Sequence, residues 1–169
     1  MKRFWIINLA LFQACWICAA FFTTHANWVM PIAILLNFAL SPTRSKDLRL
    51  LALVPLGLMV DKILLDLGIF NAGEGFFPTW LALLWIMFII SLNHSLRWLD
   101  NRSILTLVLL GAIGGTSSYW GGIESGAIEA LQTNRDTVVI LMLNWALLLP
   151  TLVIFKRRLY QTQPMLSRG

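Results

Sequence analysis

Six apolar stretches, divided by short polar breaks, run along the chain at residues 4–22, 28–40, 48–70, 79–98, 104–123 and 138–155. Most meet the roughly 20 residues a helix needs to cross a hydrocarbon core of about 30 Å. The pattern predicts an all-α fold: a polytopic membrane helix bundle of about six transmembrane helices. Stretch 28–40 is short, and as a re-entrant segment it would shift the topology by one crossing.

Charge decides between the two. With the N-terminus inside, the inner side receives Lys2, Arg3, Arg44, Lys46, Arg49, Arg97, Arg102, Lys156, Arg157, Arg158 and Arg168, which is 11 of the 13 basic residues. Only Lys62 and Arg135 fall elsewhere. Every inner segment is basic and no outer one is, a coherence that five crossings would destroy. Both termini are therefore expected in the cytoplasm, with one transmembrane domain over 1–160 and a polar cytoplasmic tail over 161–169. The acidic residues lean the other way: Asp61, Asp66, Glu74, Glu124, Glu129 and Asp136 fall in the outer half or outside. Acidic residues contribute little to topology, so this bias points to an outward-facing polar site.

Composition agrees with a membrane class. The chain is 58% hydrophobic and 12% charged, far from a soluble domain of this length. A net charge of +5 does not imply nucleic acid, because the basic residues sit in small groups between apolar runs rather than in one patch. The opening Met1-Lys2-Arg3 and the run after it resemble a secretory signal, but no small-x-small cleavage site follows, so it reads as a retained first helix. Even-numbered stretches begin near Trp28 and Pro31 or Pro78 and Trp80, a faint repeat that three helical hairpins would produce.

The third stretch carries three ionisable groups, Asp61, Lys62 and Asp66. At a helix centre each costs roughly 2.5 to 3.5 kcal/mol, so such groups face protein or water. Lys62 and Asp66 are spaced to pair along one face. Asp61 lies about 20 Å into the span at about 1.5 Å per residue, on a face that also carries Gly57 and Gly68. An unpaired carboxyl there suits an acid, a base or a proton carrier.

The fifth stretch reads Gly111-Ala-Ile-Gly114-Gly115-Thr-Ser-Ser-Tyr119-Trp120-Gly121-Gly122-Ile-Glu124-Ser-Gly126. The spacings Gly111 to Gly115 and Gly122 to Gly126 favour close helix packing, and so many small residues also permit a break in the helix. Tyr119 and Glu124 are expected beside Asp61 in the outer half. Gln13, Trp16, Trp80, Trp85, Asn144 and Trp145 are polar or aromatic groups able to converge on a ligand.

Other candidates carry less. Cys15 and Cys18 lie three apart in the first stretch, without the further ligands or helix N-terminus that metal or redox chemistry needs. His94 has no histidine or carboxylate at metal-ligand spacing, and no nucleotide, nucleophile-elbow or zinc motif is present. No metal and no cofactor is expected.

The segments Asn8-Leu-Ala-Leu-Phe-Gln13-Ala-Cys-Trp16, Asp61 with Gly68, Pro78-Thr-Trp80 through Trp85 and Phe88 to Trp98, and Gly111-Ala-Ile-Gly114-Gly115 with Tyr119 and Gly122 resemble a family of small bacterial inner-membrane proteins known only as a domain of unknown function. The likeness spans most of the chain. It implies an inner-membrane, multi-pass location and encoding near enzymes similar to cyclopropane-fatty-acid synthases, and so a link to lipid chemistry or to a lipid-enzyme partner. One departure is Thr116, where the family pattern has a proline after the paired glycines, which puts a helix break there in question.

Together these readings lead to the expectation of a protein that binds, and in one version modifies, a lipid or other hydrophobic small molecule in a cavity toward the outer leaflet. Asp61 would be acid or base, Tyr119 and Glu124 its partners, and the tryptophans the walls. A small transporter or importer subunit, and a non-catalytic scaffold, are the alternatives.

Overall fold

The computed structural model describes residues 4–73 and 75–161. Lys2, Arg3, Glu74 and Arg168 from the charge pattern, and the tail from residue 162 on, lie outside the described residues. The described chain is mostly helical, with one two-residue antiparallel ladder and short turns between elements. Helix α1 (Phe4–Phe21) turns at Phe22 directly into α2 (Thr23–Leu40). Next come α3 (Arg44–Leu50), a 3-10 turn (Leu51–Leu53), α4 (Val54–Asp66), strand β1 (Phe70–Asn71) and α5 (Thr79–Ser91). After a 3-10 turn (Arg97–Asn101) follow α6 (Ile104–Leu110), a π-helical turn (Gly111–Gly115), α7 (Thr116–Glu124), β2 (Glu129–Ala130) and α8 (Asn134–Gln161).

Three of these runs are long and apolar enough to cross a membrane: α1, the continuous run Ile104–Glu124, and α8; α5 is a shorter apolar helix. The second stretch is longer than its apolar part, because α2 begins at Thr23 and reaches 18 residues. Large apolar side chains such as Ile6, Phe21, Leu35, Leu105, Leu143 and Leu147 are exposed on the outer faces. In water such a girdle would be a liability.

Two boundaries differ from the apolar pattern for local reasons. The third stretch is helical from Arg44 but tightens to 3-10 just before α4, which carries Pro55 in its first turn, where the missing N–H and fixed φ are tolerated. The fourth stretch leaves α-helix at Ser91. Asn93, His94 and Ser95 bond to Asp47, Thr43 and Asn8 on other elements, and such polar side chains compete with continued helix.

A relation links two helical hairpins, on residues other than the tryptophans and prolines of the faint repeat in the sequence. Asp61 and Tyr119 are 58 residues apart, and the same step carries Gly57 to Gly115, Asp66 to Glu124, Gly68 to Gly126 and Asn71 to Glu129. A Cβ at Gly57 would collide with the ring of Trp85 on α5, and one at Gly115 with the ring of Trp145 on α8. Gly68 and Gly126 end their helices at φ +64° and +79°. Each closes the last turn with the same bonds, Ile69 N to Leu64 O and Gly68 N to Leu65 O in one, Ala127 N to Gly122 O and Gly126 N to Ile123 O in the other, all 3.0 Å. This is the left-handed glycine cap. In the ladder Asn71 pairs with Glu129 itself, as a two-fold relation between antiparallel strands requires. Parallel repeats of this kind recur in membrane folds.

The α4–α5 and α7–α8 turns meet at the ladder, and the end of α1 joins them there, with Ala19 and Ala20 beside Trp80 and Ile128. The opposite end is tied by polar side chains. Asn8 Nδ2 donates to Asn37 Oδ1 (3.0 Å), and the Asn8 oxygen accepts from Ser95 N and Oγ. Buried Asp47 accepts from Ser41 and from Asn93 Nδ2 (2.6 Å), and pairs with His94 Nε2 (2.8 Å). Lys156 Nζ, also buried, reaches Leu92 O and Asp100 (2.6 Å).

Candidate functional site

Asp61 sits in the middle of α4, 1% exposed. Its carboxyl is paired, with Tyr119 beside it and Trp85 as a second partner. Tyr119 on α7 lies with its hydroxyl 2.6 Å from both carboxyl oxygens, and Trp85 on α5 donates its indole N–H to Oδ2 at 2.5 Å. A carboxyl in an apolar interior must be hydrogen-bonded to be tolerated, and here the two donors come from the two hairpins related by the repeat.

The rings these bonds orient build one aromatic wall. Trp85 and Trp145 stack with centroids 5.6 Å apart and planes 8° from parallel. Phe88 meets both edge-on, at 5.6 and 5.7 Å, and Tyr119 meets Trp145 at 5.9 Å. The stack is possible because Gly57 and Gly115 present bare backbone behind the two indoles. Gly111 meets the Trp145 carbonyl in the same way. The expected break in the fifth stretch is thus a widening to π geometry over Gly111–Gly115, without the proline and without loss of helical direction.

In front of this wall lies a cavity of about 510 Å³. Phe12, Gln13 and Trp16 of α1 form its second side, and Gly114, Ser117 and Ser118 its third, with Leu96, Trp98 and Leu99 closing one end. Trp16 Nε1 donates to Ser118 Oγ at 2.9 Å and its ring stands over Gly121, joining α1 to α7. Below that bond α1 packs on α2 and α5, whereas α6 packs on α8. Gln13, Gly114, Ser117 and Trp98 are exposed, so the cavity opens sideways between α1 and the α6–α7 run. Among the described residues no Asp, Glu, Lys, Arg or His lines it.

Over residues 5–151 the sequence matches the family described as "Protein of unknown function (DUF2878)". The chain belongs to the DUF2878 family. No curated protein and no solved structure matches it. Within this DUF2878 chain the predicted site residues fall into three groups. Gln13, Trp16, Trp85, Tyr119 and Trp145 line the cavity. Trp80 lines a small neighbouring pocket that shares Trp16, Leu81, Leu84, Ser118 and Tyr119, and donates its indole N–H to Ala72 O at 3.3 Å. Asp61 stands behind the wall, in contact with it but not with the cavity.

Two residues do not join. Glu124 is exposed at the end of α7, five residues beyond Tyr119, and at 3.6 residues per turn that step leaves it about 140° around the helix from the Tyr119 face. Asn144 is half-buried beside Trp145, its Nδ2 lacks a partner, and it is outside the cavity lining. Gly68 and Gly126, read as packing surfaces, are helix caps, and a Cβ at either would find nothing within 4 Å.

Sequence reasoning missed Phe12, Phe88, Trp98 and the serines as lining groups, although all lie in the segments that carry the family resemblance or in the small-residue run of the fifth stretch. It also missed the Asp47–His94 pair, because Asp47 lies among Arg44, Lys46 and Arg49 and looks solvated, yet it is fully buried.

Proposed function

We propose that this protein is a six-crossing inner-membrane protein, with both termini in the cytoplasm, that binds a lipid or other hydrophobic small molecule in the cavity between α1 and the α6–α7 run. The observation that carries the reading is the cavity itself. It is about 510 Å³, within the roughly 300 to 1,000 Å³ of ligand sites. Its wall is aromatic and apolar, with Gln13, Ser117 and Ser118 as neutral polar groups. A lateral opening suits an occupant that arrives from the bilayer.

On the six-crossing topology the cavity occupies the middle and the cytoplasmic half of the bundle, since it runs from Tyr119 and Leu81 to Trp98 and Leu99. The outer-leaflet opening expected from the acidic residues is therefore replaced by an inner one. Asp61 acts here as a positioning group, holding Trp85 and Tyr119 in place. Trp85 and Tyr119 both line the cavity and bond to Asp61, and of the two the Tyr119 hydroxyl is the group suited to pass a proton to an occupant.

Native mass spectrometry of protein extracted in mild detergent tests it. The wild type should retain an apolar adduct, and Gly114→Phe, at a position where a Cβ meets nothing within 4 Å and which is open to the cavity, should lose it while melting normally. A wild-type spectrum free of any adduct, with none acquired on adding lipid, would overturn the reading.

A further inference from the structure

We infer that the cavity takes an amphiphile with an anionic head, its apolar chain against the tryptophan wall and its head among Arg97, Arg102 and Arg157 at the Trp98 end; this rests on the binding reading above and deepens it. The charge around the cavity is sharply divided. Among the described residues its lining contains no Asp, Glu, Lys, Arg or His, while Arg102 and Arg157 lie against Trp98 and Leu99, which close one end. The Arg102 guanidinium lies over the Trp98 ring, 5.3 Å from its centroid, and Trp98 is itself half exposed at the opening. Arg97 precedes Trp98 in the same turn and is exposed. Arg157 Nη2 donates to Leu99 O (3.2 Å) and Arg102 O (3.0 Å), which fixes its guanidinium under the cavity floor, and its buried Nε has no partner.

The contacts of these cations leave their charge without a carboxylate. Among the described residues the carboxylates at this end are Asp47 and Asp100, and they are engaged by His94 and by Lys156. Arg97, Arg102 and Arg157 form no ion pair with a carboxylate among the described residues. Arg97 and Arg157 lie close enough to Lys156 for their like charges to act on it, beside the opposing charge of Asp100. Positive residues at a cytoplasmic end serve topology, but topology does not require Arg102 to lie over a ring of the cavity lining or Arg157 to bond to the backbone of Leu99 and Arg102 beside it. An ionised head paired with guanidinium at this interface, where the dielectric is below that of water, gains more than the same head in solvent.

The test uses the purified full chain in a neutral detergent and two probes, a brominated stearate and the corresponding brominated stearyl alcohol, whose bromines quench tryptophan fluorescence on contact. Trp16, Trp85, Trp98 and Trp145 are all in the lining. The acid should bind about tenfold more tightly than the alcohol, and the difference should shrink as salt is raised, since rim charges are screened. Replacing both Arg97 and Arg102 with Gln should remove the preference and leave the alcohol's affinity unchanged; replacing both with Lys should keep it, which controls for folding. Equal binding of acid and alcohol, indifferent to salt and to both pairs of substitutions, would overturn the anionic head while leaving the cavity reading intact. Quenching by neither probe would overturn both.

Discussion

At the residue scale the decisive group is Asp61, whose depth in an apolar span made it conspicuous in the sequence. Its partners are donors, so exchange of one carboxyl oxygen for an amide turns an acceptor into a competing donor. Asp61→Asn should lower stability by about 1 to 3 kcal/mol, the cost of a broken buried polar contact, read as a lower melting temperature in detergent. Tyr119→Phe should cost a similar amount. Because both remove the same interaction, the double variant should be less destabilised than the sum of the two; strict additivity would show that the Tyr119–Asp61 bond contributes nothing. The sequence exposed Asp61, Tyr119, Trp85 and Trp145 one by one, as polar or aromatic groups within spans. It did not show that they touch, because contact depends on which helix faces meet. Glu124 was misplaced by the same gap in information: nearness along the chain stood in for nearness around the helix.

At the element scale the α6–α7 run is organised around α8. Gly111 and Gly115 have no room for a Cβ, the first against the Trp145 carbonyl and the second against its ring. Gly122 would meet the Cδ1 of Ile128 at 3.0 Å, and Gly114 would meet nothing within 4 Å. Alanine substitutions should therefore rank in folded yield, with Gly111→Ala and Gly115→Ala severely reduced, Gly122→Ala mildly, and Gly114→Ala unchanged. Backbone cannot yield as a flexible side-chain end can, so Gly111→Ala should be the hardest to rescue; a yield as high as that of Gly114→Ala would show that α8 does not lie against this ridge. Glycine spacing made the ridge legible. It did not distinguish packing glycines from capping ones, since Gly126 has the same spacing from Gly122 as Gly115 has from Gly111. Only the backbone angle at Gly68 and Gly126, positive in both, separates the two uses.

At the scale of the whole molecule, the apolar pattern made the helical class and the hairpin order readable, while the repeat stayed nearly invisible because equivalent positions hold different residues, Asp61 for Tyr119 and Asp66 for Glu124. The geometry that the repeat imposes bears on topology. The α1–α2, α4–α5 and α7–α8 turns share the ladder end, and Lys62 there is paired with Asp66. Arg44, Lys46, Arg49, Arg97, Arg102, Lys156, Arg157 and Arg158 belong to the other end, where Asp47 and Asp100 are also engaged. A bundle with its cations gathered at one end has one orientation under the positive-inside rule. Reporter fusions after Phe22, Phe70 and Gln132 should accordingly report the periplasm, and fusions after Arg44, Asp100 and the C-terminus the cytoplasm. Neutralising Arg44, Lys46 and Arg49 together should weaken that preference more than neutralising Lys62 and Arg135, because only the first set sits in a short inner loop. A periplasmic C-terminus with the other five fusions unchanged would sink the six-crossing proposal, because an even number of crossings keeps both termini on one side. An inverted but otherwise intact pattern would keep the fold and move the cavity's mouth, with its arginines, to the opposite leaflet.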